Sequence, residues 1–267
     1  MTDADALRDG GVPERLPAPA GPGRPDPGPS AAAPEGEKVM SLVDHLGELR
    51  SRVARSVLAI AVFSAVGFYI APEARRILIQ PLPTDQVQIL APGDAFAITL
   101  RISIVIGIIL AMPVLLYQAW AFIAPGLTAS ERRTLRPWVP LALAFFALGV
   151  GIAWVVLPFA IQFLLQFTDE FIVAGPLAAG PYFDFVTTMF LAFGLVMEFP
   201  IVLYALSRVG IATSARLAAS RRFVILAIAV FAALATPGGD LVSPIVLGLT
   251  LYLLFEGTVL FIRRTGR

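Results

Sequence analysis

The 267-residue chain is 57% hydrophobic and 15% charged, with a mean hydropathy of +0.81. A soluble domain carries about 25% charged residues, and so large an apolar fraction cannot all be hidden in an aqueous core, which leaves lipid as its solvent. Net charge is only +1, cysteine is absent and the single histidine is His45; disulfide frameworks and zinc or iron sites are thereby excluded, and no cofactor, metal or nucleic-acid partner is expected.

Residues 1–37 hold eight of the 22 prolines and almost no large apolar side chain. Such a segment cannot offset its ordering entropy, which predicts a disordered cytoplasmic tail preceding a membrane domain over 38–267. The acidic start (Asp3, Asp5, Asp9) is unlike a cleaved signal peptide, so insertion is expected to begin at an internal helix. Residues 41–54 (SLVDHLGELRSRVA) set Leu42, Leu46, Leu49 and Val53 at helical spacing, with Asp44, Glu48, Arg52 and Arg55 on the other side. This predicts an amphipathic helix on the membrane surface, with Ser41 and Asp44 at capping-box spacing.

Six apolar stretches follow, each bounded by charge. They lie between Arg55 and Glu73, from Arg101 to the region of Trp120, and after Arg136 as far as Thr168. The remaining three run between Asp184 and Arg208, Arg222 and Asp240, and Asp240 and Arg263. Roughly 20 residues cross a bilayer core, so the fold class is all-α and polytopic, with six transmembrane helices. The first and fifth stretches are short, with 17 uncharged residues each. Glu256 interrupts the sixth, and it could snorkel with Arg263 towards the cytoplasm. A thinner bilayer is expected beside spans five and six.

Fourteen Lys and Arg residues fall between Lys38 and span one, in the second and fourth connections and in the C-terminal tail, against Arg75, Arg76 and Arg101 alone on the other side. That asymmetry places both termini in the cytoplasm. The outer loops 72–97 and 168–183 keep apolar residues between turn formers and are expected to pack across the helix ends.

Several residues carry chemistry. Glu198 sits deep in span four, where a charge costs roughly 2.5–3.5 kcal/mol on insertion scales. Either it is a protonated carboxyl bonded to a neighbouring helix, or it lines a water-accessible pocket. Pro200, two residues on, should kink the helix there. Glu131 closes the capping box Thr128-Ala-Ser-Glu131, which by itself explains that residue. Glu48 has an (i, i+4) partner in Arg52. Tyr117, Trp120 and Phe122 crowd one interface, as an aromatic belt or as a partner-binding groove.

Together these segments resemble the TatC family, the multispanning receptor component of the twin-arginine protein translocase. The resemblance rests on HLGELR (45–50), YQAWAFIAPGL (117–127) followed by Glu131-Arg132-Arg133, FGLVMEFP (193–200), LATPGGD (234–240) and LLFE (253–256). It covers about residues 40–262 and implies a receptor in the bacterial cytoplasmic (inner) membrane rather than an enzyme. That receptor binds twin-arginine signal peptides at the cytoplasmic face. It works with single-span TatA and TatB partners, and with other copies of itself, to move folded proteins by the proton-motive force. The resemblance makes Glu48, Glu131 and Phe122, with Arg50 and His45 of the same motifs, the signal-peptide site. It sets Glu198 in a concave intramembrane cavity, with Gln118 a possible polar partner, and assigns spans five and six to the surface meeting the single-span subunits. The chemistry is sound, because a planar guanidinium pairs with carboxylate in a bidentate fork.

Two other classes fare poorly. An ion-coupled solute transporter predicts repeats and several polar groups at one depth, and only one carboxyl lies near the midplane. An intramembrane protease needs paired carboxyls, a buried Ser–His pair or metal ligands, and none of these is present within the spans.

Overall fold

The computed structural model describes residues 42–82, 87–167, 177–208, 210, 212–236 and 239–264. The N-terminal tail, Ser41 and the Asp44 side chain lie outside the described residues. Helices account for nearly all the rest: α1 (Leu42–Ile79), α2 (Asp94–Ile123), α3 (Ala129–Leu135), α4 (Trp138–Leu165), α5 (Ala179–Val196), α6 (Phe199–Arg208), α7 (Ser214–Ala219), α8 (Arg221–Ala235) and α9 (Val242–Arg264). Two short strands, β1 (Val87–Gln88) and β2 (Leu177–Ala178), complete the order.

The segment expected on the membrane surface is not set off from the first span. No glycine or proline lies between Glu48 and Val66, so nothing interrupts the hydrogen-bond ladder, and α1 runs unbroken for 38 residues. Pro72 sits inside the same helix near its far end, as proline can in membrane helices whose neighbours resatisfy the backbone. Among the described residues five stretches are long and apolar enough to cross a membrane: 45–79, 94–126, 129–165, 179–208 and 242–264. The fifth expected span is the 15-residue α8, about 22 Å of helical rise, and is not among them.

Between apolar helices in lipid, small residues allow the close approach that drives packing. α1 and α2 meet in this way: a Cβ on Gly107 would stand 2.7 Å from Ser64 Cα, and one on Gly67 would strike the Ser103 carbonyl. α4 and α5 repeat the device, where a Cβ on Gly194 would lie 2.7 Å from Phe146 Cε2. The core centres on α5 between α4 and α9, with Phe146, Phe183, Phe193, Met189, Leu247 and Phe255 fully enclosed. α1 by contrast turns Val57, Leu58, Val62 and Tyr69 outward.

Span four is broken as Pro200 predicts. Pro200 has no N–H to return to the Val196 carbonyl, and Glu198 N bonds instead to Leu195 O three residues back at 3.1 Å. α5 therefore ends at Val196 and α6 starts at Phe199, with Met197 and Glu198 in the turn between.

The described parts of loops 72–97 and 168–183 meet in a short strand pair. β1 pairs parallel with β2, Val87 opposite Leu177 and Gln88 opposite Ala178. Beside this pair Tyr182 Oη donates to Leu78 O at 2.5 Å, and Arg101 of α2 forms an ion pair with Asp184 of α5. Asp240 caps α9, accepting from Ser243 N at 2.6 Å.

Candidate functional site

The residues singled out in the sequence divide between two places. The first lies where the N-terminal turns of α1 meet the C-terminal turns of α2, at the arginine-rich end of the bundle. His45 and Phe122 stack with ring centroids 4.4 Å apart and planes 15° from parallel. One turn along α1, Glu48 Oε1 accepts from Arg52 Nε at 2.8 Å and Nη2 at 2.5 Å. Arg52 Nη1 reaches across to Gln118 Oε1 of α2 at 3.3 Å. Glu48 Oε2 is enclosed and accepts no hydrogen bond. Arg50 is exposed beside this group.

Gln118 thus does not pair with Glu198. The helical spacing of Arg52 brings its guanidinium to the α1–α2 seam, where Gln118 is the acceptor within reach. Among the described residues no hydrogen bond joins Gln118 to Glu198.

Glu131 stands on α3 in a complete capping box. Its Oε2 accepts from Thr128 N at 3.0 Å and from Thr128 Oγ1 at 2.9 Å, while Glu131 N donates to Thr128 Oγ1 at 3.4 Å. α3 is tied back to the end of α2 by Arg132, whose Nε and Nη2 donate to Ala124 O at 3.1 and 2.8 Å. The carboxylate is therefore held on a short helix tied to the chain two residues past Phe122.

The three aromatics of 117–127 have separate fates. Tyr117 is 61% exposed, and Phe122 is in the stack with His45. Trp120 packs inward against Leu127, Leu135, Tyr204 and Ile262. Next to that cluster Trp138 stacks on Tyr204 at 4.1 Å, and Arg208 Nε donates to Tyr204 Oη at 2.9 Å.

The second place is the break in span four. Glu198 Oε1 is enclosed without a hydrogen-bond partner. It borders a cavity of about 480 Å³ walled by Leu195, Phe199 and Val202, by Val224 and Phe231 of α8, and by Leu251 of α9. Its walls, Glu198 apart, are entirely apolar.

Two pairs escaped the sequence reading. Arg221 of α8 donates to Glu256 of α9 at 2.8 Å, so Glu256 is held by the neighbouring helix. Arg101–Asp184 joins α2 to α5. The only signal for either was opposite charges at matching depth in different spans. Among the described residues no group of three or more metal-ligating side chains comes together.

Long apolar helices, glycine-mediated helix seams and a half-buried carboxyl at a proline break define a multi-pass membrane protein. The family described as "Sec-independent protein translocase protein (TatC)" matches residues 44–249. The TatC of Azotobacter chroococcum is 38% identical over 236 residues, covering 86% of this chain and 92% of that protein. The TatC of Aquifex aeolicus is 36% identical over 223 residues, covering 81% and 92%. A crystal structure of the twin arginine translocase receptor TatC in DDM superposes with a TM-score of 0.73 at 34% identity, over 82% of this chain and 99% of that one. The chain belongs to the TatC family and is a subunit of the Sec-independent protein translocase.

Proposed function

We propose that this chain is the signal-peptide receptor of its translocase, with both termini in the cytoplasm of a bacterial inner membrane. In this reading it spans six times, the short α8 being the fifth crossing. His45, Glu48, Arg50, Phe122 and Glu131 receive the twin arginines of a signal peptide at the cytoplasmic end. Single-span TatA and TatB subunits then join it, other copies of the chain assemble with it, and the proton-motive force drives the folded cargo across. The observation that carries the reading is the enclosed, unbonded Oε2 of Glu48, a turn from the His45–Phe122 stack. A guanidinium fits there on two counts, pairing with carboxylate and stacking on aromatic faces. The crystallised relative is itself described as the twin arginine translocase receptor, which supports the same assignment.

Photo-crosslinkers at positions 48, 122 and 131 should label a twin-arginine signal peptide. Glu48→Gln and Glu131→Gln should each weaken its binding, because a hydrogen bond to a charged group contributes about 1.5–3 kcal/mol. Unchanged binding in both variants at normal protein level would remove the assignment.

A further inference from the structure

The carboxylate proposed to receive an arginine already holds one. Arg52 places two N–H groups on Glu48 Oε1, at 2.8 and 2.5 Å, and a third on Gln118 Oε1 at 3.3 Å. Oε2 of the same carboxylate is enclosed and empty-handed. The Arg52 and Glu48 side chains are 19% and 18% exposed, so this is a sheltered pair at a helix seam and not a solvated surface pair.

We propose, on the footing that Glu48 binds an arginine of the signal peptide, that Arg52 is a built-in competitor for that carboxylate. Gln118 is the acceptor that keeps Arg52 satisfied once it is displaced. The resident group and the incoming ligand share one chemistry, a guanidinium on a carboxylate. The (i, i+4) spacing on α1 ensures that Arg52 is always within reach of Glu48. While it rests there the pair is neutral, so the empty site adds no net negative charge to attract stray cations. The contact to Gln118 is longer and ends on a neutral amide, a weaker acceptor than a carboxylate. Arg52 therefore rests on Glu48 when the site is empty. Because the Gln118 carbonyl is already aimed at Nη1, Arg52 can let go of Glu48 without losing every acceptor. An arginine of the signal peptide takes Oε2 first and Oε1 as Arg52 retreats. The resting contact thus sets how strongly a peptide must bind before it is held.

A role confined to tying α1 to α2 makes the opposite prediction, and the two separate by sign. The measurement is equilibrium binding of a synthetic signal peptide, two consecutive arginines followed by an apolar segment, to the full-length chain in lipid nanodiscs. Arg52→Gln is expected to bind the peptide about 1.4- to 2.3-fold tighter, the range over which (i, i+4) ion pairs contribute. Gln118→Leu should bind about twofold weaker while Arg52 is present, and should have no effect in the Arg52→Gln background. In a Glu48→Gln background, Arg52→Gln should change nothing. If Arg52→Gln weakens binding or leaves it unaltered while Glu48→Gln still weakens it, the competitor is overturned and the receptor assignment stands. If Glu48→Gln itself has no effect, the receptor assignment falls, and the competitor with it. Should Arg52→Gln not accumulate as folded protein, Arg52→Lys replaces the fork by a point charge. Tighter binding then supports the competitor, and equal or weaker binding overturns it.

Discussion

Glu198 stands at the break between α5 and α6 with one oxygen enclosed and unbonded, facing a wall of apolar side chains. Keeping a carboxyl at such a depth costs roughly 2.5–3.5 kcal/mol at insertion, and no bond from the described residues to Oε1 offsets that cost. Glu198→Leu should therefore leave the protein inserted, and as stable or more so, yet lower transport of a folded cargo into inverted vesicles. Glu198→Gln, which keeps a hydrogen-bonding group at the break, should be milder. A leucine variant that transports at the native rate would mean the carboxyl is merely tolerated. How legible such residues were depended on how local their chemistry is. The Thr128–Glu131 box and the Glu48–Arg52 pair lie within one turn, and spacing alone points to them. Gln118 entered only through the family resemblance, as a possible partner of Glu198, because counting along a span gives depth and not rotation. Its true partner, Arg52, is 66 residues away, and Arg221–Glu256 is separated by 35.

Among the helices, α8 departs most from what a bilayer asks. Its 15 residues give about 22 Å of rise, against a hydrocarbon core of about 30 Å. Its first residue is pinned to α9 through Arg221 and Glu256, so the deficit must be met at the other end, by a thinned bilayer or by association with another helix. Four leucines inserted after Ala229 add about 6 Å, roughly one turn. If shortness serves transport or recruitment of the single-span subunits, both should fall in the lengthened variant while its level in the membrane holds. Survival of both would leave shortness without a role. Helix positions in this chain were readable because charged residues bracket each apolar run. The break in span four was readable because Pro200 lacks an N–H. The continuity of α1 was harder to see, because the side-chain pattern changes from amphipathic to uniformly apolar near Arg55 while the backbone bonding does not change at all. Side-chain patterning reports the solvent around a helix, and only glycine, proline or a cap reports its end.

For the molecule as a whole, the end opposite the arginine-rich connections is braced by the β1–β2 pair, the Arg101–Asp184 ion pair and the Tyr182 bond to Leu78. Tyr182→Phe deletes only the last of these and should cost about 1 kcal/mol, seen as a melting temperature lower by a few degrees in detergent. An unchanged melting temperature would mean that the bond contributes nothing to the brace. From this braced end α1 runs without interruption to His45 and Glu48. Its 38 residues measure about 57 Å, nearly twice the hydrocarbon thickness of about 30 Å. The rise from Arg75 to Arg55 alone is about 30 Å and fills the core. The turns bearing His45 and Glu48 consequently stand beyond the lipid, in electrolyte. At physiological ionic strength electrostatic attraction fades over about 8 Å, little more than one turn of that helix. In the proposed reading a twin-arginine peptide is therefore not drawn to this end of α1 from afar; it is retained there, or not, by the fit of its guanidinium groups once they arrive.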